Sequence, residues 1–467
     1  MAMRLGTTVA VLCGLLFGSL LLFLPPSKFF VVLAGLPAAL VVLRWPMVGL
    51  SLFALVATFM PFSTLQVGFR FTLAEAMLGL TWAGVALQLF FQRLERPQWG
   101  SVERGLLLLM VFSVLPFLVG QVMVVADGNG PVNWVRWLAN LSLLLLAPLM
   151  LSQEKQREQL MVMLLLGNLA MLLLSLGMFV KSRSALDMIP VLEKMHYAHP
   201  EALLDIFSAE NARLGSPWVH PNLTGGAMAM FVPLAAFYGL YQHGWRRALG
   251  ATVAVLGCAA LLLSSSRGAI LAIGLVLLWL SWLRVPYARA MVMAGIILGG
   301  VLALTYAPLQ DRLATMFSSD NASTEVRVDE YKRFPEAVAR YPLGIGFRTE
   351  PPVPGSGLLG ISNLWLYYMY KLGVLGMLLY CVVTWRWWRQ VRPRGKVVTV
   401  DGRNGLWMGC TTGLVAALLT GLIDHYYSFT MVLVALFWLL MGLGLQSAAS
   451  VPSGTPGQPL SSLRKQQ

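Results

Sequence analysis

The sequence predicts an all-α polytopic integral membrane protein, with about 12–14 transmembrane helices and two long extracytoplasmic loops, the second partly helical. Three observations lead to this class. Hydrophobic residues make up 57% of the 467 residues and charged residues only 12%, against roughly 25% in soluble domains. Apolar stretches close to the about 20 residues that cross a bilayer recur along the whole chain. They lack the alternation of polar and apolar residues that membrane β-strands show.

The candidate spans follow one another with short polar connections. Their approximate bounds are 7–24, 29–43, 46–62, 71–91, 105–124, 134–151, 160–180, 223–241, 248–265, 268–283, 289–307, 358–384, 404–423 and 428–447. The second and third are the weakest pair, because only Arg44, Trp45 and Pro46 separate them. A re-entrant or interfacial hairpin at this place is the alternative and leaves twelve full spans. The first is predicted to be a retained helix, since no small-residue cleavage site follows it.

The spans and loops divide the chain into six predicted regions. They are N-terminal transmembrane helices (1–180), a first extracytoplasmic loop (181–222), central transmembrane helices with a Ser-Arg-Gly motif (223–307), a large extracytoplasmic loop (308–357), C-terminal transmembrane helices (358–447) and a disordered cytoplasmic tail (448–467). The tail is predicted to be disordered because it is rich in Ser, Pro and Gly.

Charge in the connections predicts the orientation. If the N-terminus is cytoplasmic, the basic connections fall inside, including 385–396 with five basic residues and no acid. The positive-inside rule thus favours cytoplasmic N- and C-termini in a bacterial inner membrane, with both long loops periplasmic. This topology accounts for the surplus of 34 Lys and Arg over 20 Asp and Glu, so no nucleic-acid partner is expected. All four cysteines lie in apolar runs, which favours neither disulfides nor a Cys metal site.

Arg267 is the most informative single residue. It lies in the sequence Ser-Ser-Ser-Arg-Gly (264–268), between two apolar runs, at the face predicted to be periplasmic. Charged residues near hydrocarbon are costly and are functional candidates by default. The alternative is an anchor whose long side chain reaches the headgroups. Four of the five histidines fall on the same side: His196, His199, His220 and His425.

Three blocks with a recurring order carry a family resemblance. The first is Arg213 and Gly215 followed by His-Pro-Asn (220–222) before a span. The second is the Ser-Arg-Gly-Ala sequence of 266–269. The third is a helical loop that leads through 341–347 to Asn363 and to Gly-Val-Leu-Gly (373–376). Over about 205–430 the chain resembles the O-antigen ligase and polymerase family, bacterial membrane enzymes that polymerise or transfer lipid-linked glycans.

The resemblance implies a donor glycan linked to polyprenyl diphosphate, a glycan or lipid acceptor, and neither metal nor cofactor. The lipid bilayer and other polysaccharide-assembly proteins are the further expected partners. Arginine suits a diphosphate because its planar guanidinium stays charged and binds oxygen pairs bidentately. Arg213 and Arg267 occupy the matching positions. The residues expected to be catalytic are His220, Arg267 and Asp329, and those expected to bind substrate are Arg213, Asn222, Arg327, Arg333, Arg340 and Asn363.

One position departs from the family pattern. Ligases of the family have a histidine, the expected general base, directly before the asparagine that opens the span after the large loop. Here Ser362 precedes Asn363. Serine is no base at neutral pH, so the base is one of His220, His425, Asp329 or Glu330, or the protein is polymerase-like with different acceptor contacts.

Other functions and structural roles stay open at this stage. A transporter, either a lipid-linked sugar flippase or a bicarbonate-type anion carrier, is the alternative function, although few charges fall near the predicted midplane. An inactive scaffold is a third. His220 with Asn222, and Asn363, also suit helix capping, and Asp424 with His425 suits an ordinary polar turn. Tyrosines 367, 368 and 370 are expected to form an interfacial aromatic belt.

Overall fold

The structure, a computed structural model, describes residues 26–67, 69–123, 129–182, 184–197, 200, 204, 213–305, 322–348, 360–394, 400–402 and 404–451. Most of them are helical. The helices are α1 (Pro26–Arg44), α2 (Pro46–Phe59), α3 (Leu73–Phe90), α4 (Ser101–Phe112), α5 (Val114–Met123), α6 (Gly130–Leu141), α7 (Leu143–Met150), α8 (Glu154–Ser182), α9 (Ile189–Lys194), α10 (Pro221–Tyr241), α11 (Gly244–Ser264), α12 (Arg267–Trp282), α13 (Ala288–Thr305), α14 (Ala322–Arg340), α15 (Leu364–Val391), α16 (Gly405–Thr420), α17 (Tyr426–Phe429) and α18 (Met431–Ala449). A 3₁₀ turn, Ala185–Met188, precedes α9.

The predicted all-α membrane fold is confirmed. Within the described ranges, eight segments are long and apolar enough to cross a membrane, and two of them join α4 to α5 and α6 to α7. The second and third candidate spans, the weakest pair, correspond to α1 and α2. The chain bends by 120° between these helices, so they form one broken span or a re-entrant loop. Three shorter apolar helices complete this set: Arg267–Trp282, Ala288–Ile297 and Gly405–Thr420. The predicted first span, 7–24, lies outside the described residues, as does most of the tail, 452–467.

A short β-hairpin departs from the all-α prediction. Strands β1 (Thr64–Val67) and β2 (Phe69–Thr72) pair antiparallel, with Thr64 opposite Thr72. The hairpin leads directly into α3, whose start is fixed by a capping box: the Thr72 hydroxyl accepts from the Glu75 amide, and the Glu75 carboxylate accepts from the Thr72 amide. Strand pairing of this length leaves a weak sequence signal inside a membrane protein.

Helices α10 and α18 form the centre of the bundle, each with 89% of its span buried. α10 packs against α11, α12 and α16, and α18 packs against α6, α7 and α16. Glycine permits a close approach of α11 to α10: a β-carbon on Gly250 of α11 would lie 2.6 Å from the Gly239 amide nitrogen of α10. Contact between small residues drives helix association in lipid, where the hydrophobic effect between helices is weak.

The large second loop contains α14, as the prediction of a partly helical loop required, and this helix continues through Pro335. The glycine-rich turn after it packs on a break in α15 at Gly373, where φ is +70°. The amides of Ile345 and Gly346 donate to the carbonyls of Tyr370 and Lys371, both at 3.0 Å. These carbonyls cannot accept hydrogen bonds within α15 across the break. The glycine-rich turn supplies the missing donors, so this part of the third motif block has a structural role.

Candidate functional site

Several helix ends meet at one end of the bundle. α10, α12 and α15 begin there, and α11 and α16 end there. The Leu364 amide donates to the Gly421 carbonyl at 2.7 Å, and Gly225 of α10 lies against Ser264 and Ser266. We call this cluster, formed by residues 213–226, 264–268, 360–367 and 420–429, the junction.

Arg213 is bonded into the protein at the junction. Its Nε and Nη2 atoms donate to the Ser264 carbonyl at 3.0 and 2.7 Å, and Nη2 also donates to Asn222 Oδ1. Ser264 is the last residue of α11. A helix C-terminus carries partial negative charge and favours a guanidinium. Arg213 therefore joins the end of α11 to the beginning of α10.

His220 caps α10. Its Nδ1 accepts a hydrogen bond from the Asn222 amide at 3.0 Å, which is one of the two roles that the sequence allows. Burial, together with the nearby charge of Arg213, lowers the pKa of His220 to about 4. The ring is therefore neutral at pH 7. Its catalytic role stays a prediction.

Arg267 is placed differently from Arg213. It is the first residue of α12 and its side chain is exposed. Ser265, in the left-handed conformation with φ 54°, ends α11, so the chain reverses within two residues. The adjacent Gly268 packs on the turn after α16: a β-carbon there would lie 3.5 Å from Ile423 Cβ. Within the described ranges the guanidinium has no hydrogen-bond or ion-pair partner.

Helix α14 contributes two side chains to the junction. Arg327 forms an ion pair with Asp424, Nη2 to Oδ2, at 3.0 Å. Glu330 accepts a hydrogen bond from the Ser362 amide at 2.8 Å. Burial raises the pKa of Asp424, while the Tyr426 hydroxyl and Arg327 oppose the rise. Glu330 is thus the acid of this helix that reaches the motif position where the family has histidine.

The other charged residues predicted on α14 pair along the helix. Arg333 contacts Asp329 at 3.1 Å, and Arg340 contacts Glu336 at 2.8 Å. All four side chains are exposed, between 40% and 54%. Such i,i+4 ion pairs are typical of the solvent-exposed face of a charged helix. The predicted roles of Asp329, Arg333 and Arg340 stay predictions, since these contacts do not reach the junction.

Asn363 joins two helices. Its Oδ1 caps α15 by accepting from the Trp365 and Leu366 amides at 3.0 and 3.1 Å. Its Nδ2 donates to the Leu422 carbonyl at 3.0 Å. The start of α15 is therefore bonded to the turn that carries Asp424 and His425.

His425 lies in the centre of the aromatic part of the junction. Its ring stacks on Tyr367 with centroids 5.3 Å apart and on Tyr426 at 6.4 Å, and Phe429 contacts it edge-on at 5.1 Å. Nδ1 is 3.9 Å from Asp424 Oδ1 and has no hydrogen-bond partner within the described residues. About 19% of the side chain is accessible.

The surroundings keep His425 neutral. Burial lowers its pKa to about 4, and the positive charges of Arg327 and Lys371 contribute in the same direction. In the part of the chain that the structure covers, no three His, Cys, Asp or Glu side chains are grouped as metal ligands. Because the ring is neutral, one of its two nitrogens is a hydrogen-bond acceptor.

Two tyrosines link the parts of the junction. Tyr426 packs on Gly226 of α10 and hydrogen-bonds Asp424. The Tyr427 hydroxyl donates to the Gly226 carbonyl at 2.7 Å. Apart from the Asp-His-Tyr-Tyr order of the turn, no sequence pattern indicated these contacts. The expected interfacial belt is wrong, since tyrosines 367, 368 and 370 are buried inside the protein, with exposures of 7%, 2% and 2%.

Fold and junction together describe a polytopic membrane protein with a polar cluster of helix ends. The family model described as O-antigen ligase (Wzy_C) matches residues 225–381, about a third of the chain. This segment is similar to the O-antigen ligase domain, and the predicted resemblance to the O-antigen ligase and polymerase family is confirmed. The match contains the second and third motif blocks and begins just after the first. Among curated proteins, none matches the chain. The domain supports a glycan-transferring enzyme in a multi-pass bacterial membrane protein.

Proposed function

We propose that the protein is an inner-membrane glycosyltransferase that polymerises or transfers undecaprenyl diphosphate-linked oligosaccharide at the periplasmic face, without a metal ion. The observation that carries the proposal is the exposed guanidinium of Arg267 at the start of α12, inside the O-antigen ligase domain. The Ser266 side chain does not cap this helix, so its first amides and Arg267 present positive charge together.

The distribution of basic residues supports a periplasmic junction. The described connections at the opposite end of the bundle, where α10, α12 and α15 finish, carry Arg246, Arg247, Arg284, Arg289 and the arginines of 386–394. The positive-inside rule assigns that end to the cytoplasm. The junction then faces the periplasm, and with it the two long loops, 181–222 and 308–357.

The chemistry requires charge stabilisation on one side and a base on the other. A hydroxyl of the acceptor attacks the anomeric carbon of the donor sugar, and the bond from that carbon to the diphosphate oxygen breaks. Negative charge then develops on the leaving undecaprenyl diphosphate. Arg267 stabilises this charge with two parallel hydrogen bonds, and Arg213 positions the turn that carries it. A direct contact of Arg213 with the diphosphate remains the sequence prediction.

We assign the base to His425, which accepts the proton of the attacking hydroxyl. The bond from Asn363 to Leu422 brings the 421–425 turn to the family position that Ser362 occupies. A neutral imidazole is the form that accepts a proton. Asp424 Oδ1 is 3.9 Å from Nδ1, beyond hydrogen-bond distance, and its negative charge favours a proton on that nitrogen. Nε2 is then the accepting atom, and the same charge favours the imidazolium after transfer.

The test uses purified protein in nanodiscs with undecaprenyl diphosphate-linked oligosaccharide, a chelator and no nucleotide sugar. Chain length or transfer to an acceptor is read by mass spectrometry. Wild type and the control Arg247→Ala, an exposed arginine at the opposite end, should form product at similar rates, whereas Arg267→Ala should form it about a hundredfold or more slowly. Uptake of lipid-linked sugar or bicarbonate into proteoliposomes, with no change in the glycan, would instead establish a transporter.

A further inference from the structure

A cavity of 210 Å³ lies next to the junction and has no part in the chemistry described so far. Helices α6, α15, α17 and α18 and the turn at Phe347 line it. Its size is below the roughly 300–1,000 Å³ of sites for drug-sized ligands. It therefore suits one compact group, such as a single sugar ring, rather than a whole oligosaccharide.

The cavity wall combines aromatic faces with positive charge. Trp137, Phe347, Tyr367 and Phe429 contribute rings, and Trp137 and Phe347 are 5.1 Å apart, tilted by 52°. Arg136 and Lys371 contribute cations, and no carboxylate is among the described residues that line the space. Aromatic faces stack on the C–H faces of sugars, and cations bind carboxylates.

Both cations are held in place. Arg136 Nε donates to Glu75 Oε1 at 2.7 Å, behind the wall, and Lys371 Nζ donates to the Arg348 carbonyl at 2.9 Å. Lys371 also lies 5.8 Å from the Tyr367 ring centre. Groups whose side chains are already ordered lose less entropy on binding, which favours a specific site.

The position of the cavity relates it to the proposed reaction. Tyr367 lines the cavity and stacks on His425, whereas Tyr426, the other ring stacked on His425, packs on α10 at Gly226. The proposed diphosphate side and the cavity thus lie next to different faces of the aromatic cluster around His425. A sugar in the cavity is separated from the base by one aromatic ring.

We infer that this cavity binds an acidic sugar unit, a hexuronosyl residue, of the acceptor glycan, next to the unit that supplies the attacking hydroxyl. The assignment to the acceptor rests on the proposed glycan transfer, whereas the binding of the acidic sugar does not. The carboxylate lies against Lys371 and Arg136, and the pyranose ring lies against the aromatic side chains.

The test measures binding to the purified full-length protein in nanodiscs by quenching of tryptophan fluorescence. The probes are methyl glucuronide, methyl glucoside and inorganic phosphate. Methyl glucuronide should saturate and bind at least tenfold more tightly than the glucoside. Lys371→Gln should lose this preference, Lys371→Arg should keep it, and the control Lys155→Gln, exposed at the opposite end, should match wild type.

A second variant keeps the test decisive if Lys371→Gln does not fold. Phe429→Ala removes an aromatic face that is 51% exposed and should weaken both glycosides alike. Equal binding of the two glycosides to wild type would overturn the inference. So would phosphate that competes as well as glucuronide, because the aromatic faces would then contribute nothing.

The two proposals can fail separately. Arg267→Ala should slow transfer by about a hundredfold or more and leave glucuronide binding unchanged. Glucuronide binding by a protein without any transfer activity would contradict the proposed function and support the acidic-sugar site. Glycan transfer without glucuronide binding would contradict only the acidic-sugar site.

Discussion

Two arginines of the junction differ in their surroundings: Arg213 is hydrogen-bonded inside the protein, whereas Arg267 is exposed. Arg213 donates to a helix C-terminus and to Asn222, so its charge is used inside the protein. Arg267 is exposed at a helix N-terminus that no side chain caps. Only two residues separate Ser264, the partner of Arg213, from Arg267. The comparison teaches that one arginine positions the turn and the other presents charge to a ligand.

The largest effect is expected for Arg267→Ala. Removal of one preorganised donor to a developing negative charge typically lowers kcat by about 10²–10³-fold. Arg267→Lys should recover part of the loss, because a point charge replaces two parallel hydrogen bonds. Single-turnover rates of transfer give the measurement, with circular dichroism as the control for folding. A folded Arg267→Ala protein with full activity would remove the distinction between the two arginines.

His425→Gln should lower kcat by about 10²-fold, at the low end of base catalysis, because a base with a low pKa is weak. The pKa of about 4 predicts a pH profile as well. The imidazole is neutral above that pH, so kcat/KM should be flat from pH 7 to 5 and fall as the pH drops through 4. An unperturbed histidine would lose half its activity near pH 6.5, the ordinary value.

Bound substrate should shift the acid limb of the pH profile, the part in which activity falls with falling pH. The anionic donor near Arg267 and Arg327 favours the protonated ring, so the acid limb of kcat should lie at higher pH than that of kcat/KM. The rates of wild type and His425→Gln are compared from pH 4 to 8. An acid limb that persists unchanged in His425→Gln would assign the titration to another group.

Arg213→Ala should act on stability more than on chemistry. The Ser264 carbonyl loses a charged donor, which costs about 1–3 kcal/mol. Thermal unfolding in nanodiscs should therefore shift to lower temperature, while kcat per folded molecule changes less than tenfold. A stable Arg213→Ala protein with a kcat loss like that of Arg267→Ala would make Arg213 a second diphosphate ligand, as the sequence predicts.

The smallest effect is expected at His220. Asparagine is a strong N-cap, so His220→Asn should keep both stability and kcat, whereas His220→Ala should lose about 1 kcal/mol. Unfolding midpoints and transfer rates of the two variants are compared. Loss of activity in a stable His220→Asn protein would restore the predicted catalytic role of this histidine.

Much of the fold was predictable because bilayer-length apolar runs leave a strong composition signal. The helical character of 325–340 and the bend between α1 and α2 were also visible, in the charge pattern and in Pro46. The β1–β2 hairpin was not, since its few residues are too short to show a period. The order of the spans also predicted which loops lie on the same side of the membrane.

The site was predictable in its members more than in their roles. Motif spacing identified Arg213, Asn222, Arg267 and Asn363, which the structure brings to one junction. Whether an arginine binds a carbonyl or a ligand depends on the helix end beside it, and no spacing rule contains that information. Likewise, His425 is neutral because it is buried, and one of the rings that bury it, Tyr367 of α15, is distant in sequence.

The most direct test of the central claim is inhibition of transfer by undecaprenyl diphosphate and by undecaprenyl monophosphate, compared between wild type and folded Arg267→Ala. Wild type should be inhibited at least tenfold more strongly by the diphosphate, and Arg267→Ala should lose that preference. An unchanged preference in Arg267→Ala would show that another group binds the leaving diphosphate and would contradict the role assigned to Arg267.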